Sequence, residues 1–154
     1  MEFTIRPVRL EDADDWSALY RDYRAFYKLA DQPDLVARTR RWVFAGEHSL
    51  FGLVAVDDSG RLIGLANLRW FARPSTASIG LYLDDLFVLP TTRGTGVGSA
   101  LLGRVREIAE EAGASVIRWI TAEDNGTARR VYDRVATATA WVTYDMSPEV
   151  DEHR

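Results

Sequence analysis

At 154 residues the chain has room for one domain, and 47% hydrophobic with 27% charged residues is the balance of an ordinary globular protein. It has no cysteine and only two histidines, His48 and His153. That excludes disulfides, Cys-ligated zinc, iron–sulfur clusters and thiolate nucleophiles, and leaves a His-rich metal site or a Ser–His–Asp triad almost nothing to be built from. A net charge of −4 argues against nucleic acid as a partner, and no apolar run approaches the roughly 18 residues of a membrane span. The N-terminus carries no signal-peptide pattern, so the expected location is cytoplasmic.

Residues 3–8 alternate as a short strand, with Pro7 marking an edge. Glu11, Asp12, Asp14 and Asp15 then suit the positive end of a helix dipole, and Trp16, Leu19, Tyr20, Tyr23, Phe26 and Tyr27 recur at helical spacing to about residue 29. After Pro33 a second helix is predicted over 35–45. Residues 49–56 and 62–71 read as two strands joined by the turn Asp57-Asp58-Ser59-Gly60, and 78–89 as a long strand stopped by Pro90. Leu101, Val105, Ile108 and Ala112 mark a helix over 96–112 with Gly113 as its cap. A strand over 115–121, a helix over 127–135 and a final strand over 139–146 complete the chain, ahead of a flexible polar tail, 147–154. The order is β-α-α-β-β-β-α-β-α-β. The expected fold is therefore α/β (α+β), a mixed sheet with helices on both faces, with 1–146 forming a single domain.

The most informative stretch runs from Asp84 to Gly98. It is a strand end, a short loop and a glycine-rich helix start, with glycines at 94, 96 and 98 beside Arg93. Bare backbone N–H groups, the positive end of a helix and an arginine together make a phosphate or pyrophosphate site. A P-loop would need Gly-Lys-Ser/Thr, and the loop has no lysine. A dinucleotide fingerprint would need a glycine three beyond Gly96, where Ser99 stands, and would sit on the first strand of its sheet. Both alternatives fail.

The spacing R-x-x-G-x-G after Asp85-Leu86-Phe87-Val88 resembles the acyl-CoA signature of the GNAT acetyltransferases. Ile5-Arg6-Pro7, the order of elements, and Asn125 to Tyr132, which fits N-x-x-A-x-x-x-Y, extend the resemblance over essentially the whole chain. It implies a mostly antiparallel sheet of six to seven strands and an N-acetyltransferase that uses acetyl-CoA, needs no metal and forms a homodimer. It implies that the N–H groups of Arg93, Gly94, Gly96 and Gly98, with neighbouring Thr95, Val97 and Ser99, hold the pyrophosphate of coenzyme A. Leu86 and Val88 would pair with the pantetheine arm as an added strand, and the N–H of Leu86 or Phe87 would polarise the thioester carbonyl. Asn125 would bond the pantetheine or order its loop, and Tyr132 would protonate the departing thiolate.

An amine attacking a thioester must be deprotonated, the carbonyl oxygen stabilised and the thiolate protonated. With no cysteine, an acetyl-enzyme thioester is excluded and direct transfer is the economical route. Asp84 stands where polyamine acetyltransferases carry a glutamate implicated as base; it is read as base or amine-binding group, against a plain strand-end carboxylate. Adjacency on a strand should send Asp84 and Asp85 to opposite faces, with Asp85 a structural anchor. Tyr23 and Tyr27 on the first helix, and Glu123 beside Asp124, are candidates for lining the acceptor site. Where many GNAT relatives carry Gly-Phe after the tyrosine, this chain runs Tyr132-Asp133-Arg134-Val135 without glycine, closer to the polyamine and histone acetyltransferase branch and its bacterial members. The acceptor read from these acids is a small cationic amine or amino acid. The alternatives are a lysine or N-terminus of a protein, or a non-catalytic acyl-CoA-binding module.

Overall fold

The computed structural model describes residues 1–149; the end of the tail, 150–154, lies outside the described residues. The chain separates into two compact units, Met1–Ile120 and a second that begins at Thr121. The first holds one five-stranded sheet in the order β1-β2-β3-β4-β5. Its strands are β1 (Phe3–Pro7), β2 (Leu50–Asp57), β3 (Leu62–Arg73), β4 (Ser78–Val88) and the two-residue β5 (Ile117–Arg118). The first four are antiparallel neighbours, and β5 joins β4 in parallel. The helices of this unit are α1 (Ala13–Phe26), α2 (Pro33–Ala45) and α3 (Val97–Glu111).

Strict pairing fixes which side chains share a face. Gly52 and Asn67 are cross-strand partners, and a Cβ on Gly52 would come within 2.8 Å of Val43 of α2. Tyr20 and Tyr23 of α1 reach Asp85, the partner of Asn67, so α1 and α2 cover this same face. Gly64, of opposite parity on β3, lies under Val97 and Leu101 of α3, which covers the other face. Leu53, Val54, Ile63, Leu65, Leu68, Leu81 and Leu101, each at most 1% exposed, form the core between these layers. Helices on both faces are as expected.

Two features of β4 position the site. Asn67 pairs with Asp85 but Leu68 pairs with Leu83, so β4 carries one extra residue, Asp84. This bulge brings the two adjacent carboxylates to one face instead of two: Asp85 meets Asn67, and Asp84 meets Arg69, two residues along on the same side of β3. The expected opposition of Asp84 and Asp85 is thus overturned by register. Secondly, β5 pairs with β4 only at Leu81 and Tyr82. Past that point the edge of β4 facing away from β3, from Leu83 to Val88, has no strand partner among the described residues.

The strand count falls short of the expected six to seven. The strand expected over 115–121 contracts to Ile117–Arg118, and that expected over 139–146 does not form. High β-propensity at Trp141, Val142 and Tyr144 is insufficient, because a strand is held by a neighbouring ladder, and this segment donates to none among the described residues. Trp141, Tyr144 and Met146 are about nine-tenths exposed. Among its described residues the second unit has one helix, α4 (Gly126–Val135), whose first turn is capped by Asn125, the side-chain oxygen accepting from the N–H of Ala128 at 3.3 Å. No helix among the described residues is long and apolar enough to cross a membrane.

Candidate functional site

The loop after β4 is a short 3-10 turn, Pro90–Thr92, then Arg93 to Gly96, then α3. Gly94 and Gly96 adopt φ of +82° and +90°, a left-handed backbone that side-chain-bearing residues rarely adopt. A Cβ at either would meet nothing within 4 Å, so the glycines serve the backbone turn and leave open space above it. The first helical bond of α3 runs from the N–H of Ala100 to the carbonyl of Gly96. From Gly94 through Ser99, no N–H donates to a backbone or side-chain acceptor among the described residues. A row of unsatisfied donors at a helix start, with room above it, has the chemistry to hold an anion. The N–H of Arg93 differs from its neighbours: it donates to the carbonyl of Pro90 at 3.4 Å.

The Arg93 side chain is committed to the edge of β4. Its guanidinium lies 4.4 Å from the centre of the Phe26 ring, and its Nε donates to the Val88 carbonyl at 3.2 Å. The N–H of Leu89 donates to Ile63 of β3, so the two-residue alternation turns Leu86 and Val88 toward the unpaired edge and Phe87 toward β3. Leu86 therefore presents the free N–H of the two residues named for the thioester carbonyl. Phe87 is buried, its ring against Tyr23 and Phe26.

At the bulge, Asp85 is the hub of a polar cluster that the sequence marks only as an anchor. Its Oδ1 accepts from the Tyr23 hydroxyl at 2.7 Å, and its Oδ2 from the Tyr20 hydroxyl at 3.1 Å and the Asn67 amide at 3.0 Å. Burial first, and then the charge of Asp85, push both phenols above their ordinary pKa, so they stay protonated and donating. Asn67, 1% exposed in the apolar stretch Leu62–Leu68 of β3, is the member the sequence reading missed, and a lone amide in that run is the signal that could have found it. Tyr27, half exposed at the end of α1, packs edge-on against Tyr23.

Asp84 faces outward beside this cluster. Its Oδ2 accepts from Arg69 Nε at 2.8 Å, and the Arg69 guanidinium lies over the Tyr82 ring at 4.4 Å. Desolvation raises the Asp84 carboxyl above its ordinary range, against the lowering influence of Arg69. Arg69 is 15 residues from Asp84 and carries no local signal in the sequence; only strand pairing places it here.

In the second unit, Tyr132 sits half-buried on α4. Glu123 is exposed, its backbone carbonyl accepting from Arg129 at 2.7 Å. The first unit thus brings together Tyr23, Tyr27, Asp84, Leu86, Phe87 and Val88, with the loop 93–99 following directly. Among the described residues no group of His, Cys, Asp and Glu could hold a metal ion.

The acetyltransferase (GNAT) family matches over residues 16–136. A D-amino-acid N-acetyltransferase of Saccharomyces cerevisiae is 28% identical over 141 residues, 91% of this chain and 88% of that protein. The thialysine N-epsilon-acetyltransferase of Mus musculus is 27% identical over 135 residues, 83% of this chain and 79% of that one. Among solved structures, a ribosomal-protein-alanine N-acetyltransferase from Brucella melitensis biovar Abortus 2308 superposes with a TM-score of 0.81 at 23% identity, over 95% of this chain and 99% of that chain. That last likeness speaks for the fold alone. With a family match across most of its length and N-acetyltransferases among its relatives, the chain belongs to the acetyltransferase (GNAT) family and is an acyl-CoA N-acetyltransferase.

Proposed function

We propose that the protein moves an acetyl group from acetyl-CoA directly to the primary amine of a small cationic amine or amino acid, with residues 1–146 working as one domain. The observation that carries this reading is the row of N–H groups from Gly94 to Ser99 that donate to no acceptor among the described residues, set directly after a strand edge that has no strand partner among them from Leu83 to Val88. A diphosphate fits the first and an extended amide-bearing arm fits the second. No metal enters the reaction.

Each residue then has a task. The loop N–H groups hold the pyrophosphate of the donor, and Leu86 and Val88 offer ladder bonds to its arm once Arg93 yields the Val88 carbonyl. The Leu86 N–H stabilises the oxyanion that develops on the thioester carbonyl. Asp84, directly or through water, takes a proton from the ammonium of the acceptor, and desolvation makes it a stronger base than an exposed carboxylate. The freed nitrogen forms the N–C bond to the acetyl carbon, and the C–S bond breaks with its electron pair on sulfur. Tyr132 protonates that thiolate and is resupplied with the second proton that the nitrogen loses. Asn125 orders the start of the helix that carries Tyr132. Tyr23, Tyr27 and Glu123 line the acceptor site.

The names of the two relatives, a D-amino-acid and a thialysine acetyltransferase, support a small amine-bearing acceptor. We further propose a homodimer, which the apolar, unpaired segment 139–146 supports by offering a strand to a second copy. Calorimetric titration with acetyl-CoA, alongside a Gly96→Glu variant, tests the reading. Wild type should bind, and the variant should lose binding because a carboxylate then occupies the anion site. A thiol-release screen over amines, amino acids and peptides follows. An absence of binding by wild type overturns the assignment of the loop.

A further inference from the structure

The ion pair on the bulged face is half-engaged. Arg69 uses Nε for Asp84, while its two terminal nitrogens have no hydrogen-bond partner among the described residues. Its side chain is 42% exposed, and the guanidinium carbon lies over the Tyr82 ring, 4.4 Å from its centre. Asp84 uses Oδ2 for Arg69, leaving Oδ1 similarly without a partner, its side chain 28% exposed. Asp85 is different: both of its oxygens are taken by Tyr20, Tyr23 and Asn67. Among the described residues, the Asp84–Arg69 pair therefore offers one cationic fork and one carboxylate oxygen, side by side.

We propose that Arg69 is a specificity-determining residue that receives the carboxylate of the acceptor, so that the preferred acceptor is an α-amino acid acetylated on its α-amino group. This deepens the reading above and rests on it. An α-amino acid carries an ammonium and a carboxylate on one carbon. Asp84 and Arg69, joined at 2.8 Å, offer the matching opposite charges at that same short separation. The two free guanidinium N–H edges suit bidentate pairing with a carboxylate, and stacking on Tyr82 pre-orders them for it. A polyamine has a cation where the amino acid has its carboxylate, and Arg69 would repel it. The chemistry is unchanged: the α-nitrogen gains the acetyl carbon, sulfur leaves with the bonding pair and is protonated, and one proton is released.

The test compares kcat and KM for a panel of D- and L-amino acids, each beside the amine lacking its carboxylate, with wild type, Arg69→Gln and Arg69→Lys. Wild type should favour at least one amino acid over its amine by roughly tenfold or more in kcat/KM, the worth of a charge-assisted bidentate pair. Arg69→Gln should lose that preference, its KM for the amino acid rising more than its KM for the amine, while its affinity for acetyl-CoA is kept. Arg69→Lys, which keeps the charge without the fork, should fall between. Transfer to amines with no preference for a carboxylate, or an equal loss on amino acid and amine in Arg69→Gln, overturns the inference and leaves the function standing. Binding of acetyl-CoA with no transfer to any small amine overturns both.

Discussion

Single residues carry much of the order of the first unit. Asp85 satisfies two tyrosine hydroxyls and one amide from elements 18 to 65 residues away. Asp85→Ala strands three donors under α1, and should cost roughly 2–4 kcal/mol, seen as a lower midpoint in urea. Asp12 plays a comparable role near the N-terminus. It is 5% exposed and accepts from Arg6 at 2.7 and 2.9 Å and from the Arg9 N–H at 2.7 Å. The Arg6 hydrogen bonds hold its carboxyl below the ordinary value of 3.8. A lowered acid pKa contributes stability that is complete above that ordinary value and is lost as the pH falls through the folded-state pKa. Asp12→Asn should therefore lower the melting temperature at neutral pH and flatten its fall in acid, measured by thermal unfolding from pH 2 to pH 7.

Among elements, α4 joins the N-cap at Asn125 to the tyrosine seven positions on. Its cap is a single hydrogen bond, and the helix is short, so its start depends on that bond. Asn125→Ala should cost about 1 kcal/mol locally and raise amide exchange in its first turn, with kcat falling if Tyr132, the proposed acid carried on this helix, protonates the thiolate. Asn125→Ser should restore most of both. Helix α3 starts on Gly96 in the left-handed region, with no side-chain cap and no acidic residue in its first turn. An end left this way suits a helix whose N–H groups are reserved for a bound anion. The bulge in β4 is the other decisive element, since it sets Asp84 and Asp85 on the tyrosine-bearing face.

For the whole molecule, the exposed segment 139–146 is the surface through which the proposed homodimer would form. Its large side chains, Trp141, Val142, Tyr144 and Met146, are 74–92% exposed, a cost to solubility that pairing across subunits would remove. Sedimentation equilibrium should give a mass of two chains, and Val142→Pro, which deletes a ladder donor, should shift it toward one. Unchanged one-chain mass in wild type would discard the homodimer.

Much of this architecture was legible in the residues themselves. Turn chemistry at Asp57 to Gly60, the helical spacing of Leu101 and Val105, and glycines at 94, 96 and 98 are local signals, each set by what a few neighbouring residues can do with their backbone. The candidate anion loop and the elements around it were therefore readable, with bounds shifted by a residue or two. The final strand was misread for the same reason: propensity is local, but a strand needs a neighbour. Everything that depends on pairing between distant segments was decided by the tertiary structure. The bulge exists only in the register of β3 against β4, Arg69 meets Asp84 only across that pair, and Tyr20 and Tyr23 reach Asp85 only because α1 lies on the same face. Sequence determines which groups the chain has for its chemistry. Register and packing determine which of them share a face, because strand alternation turns a one-residue shift into a change of side.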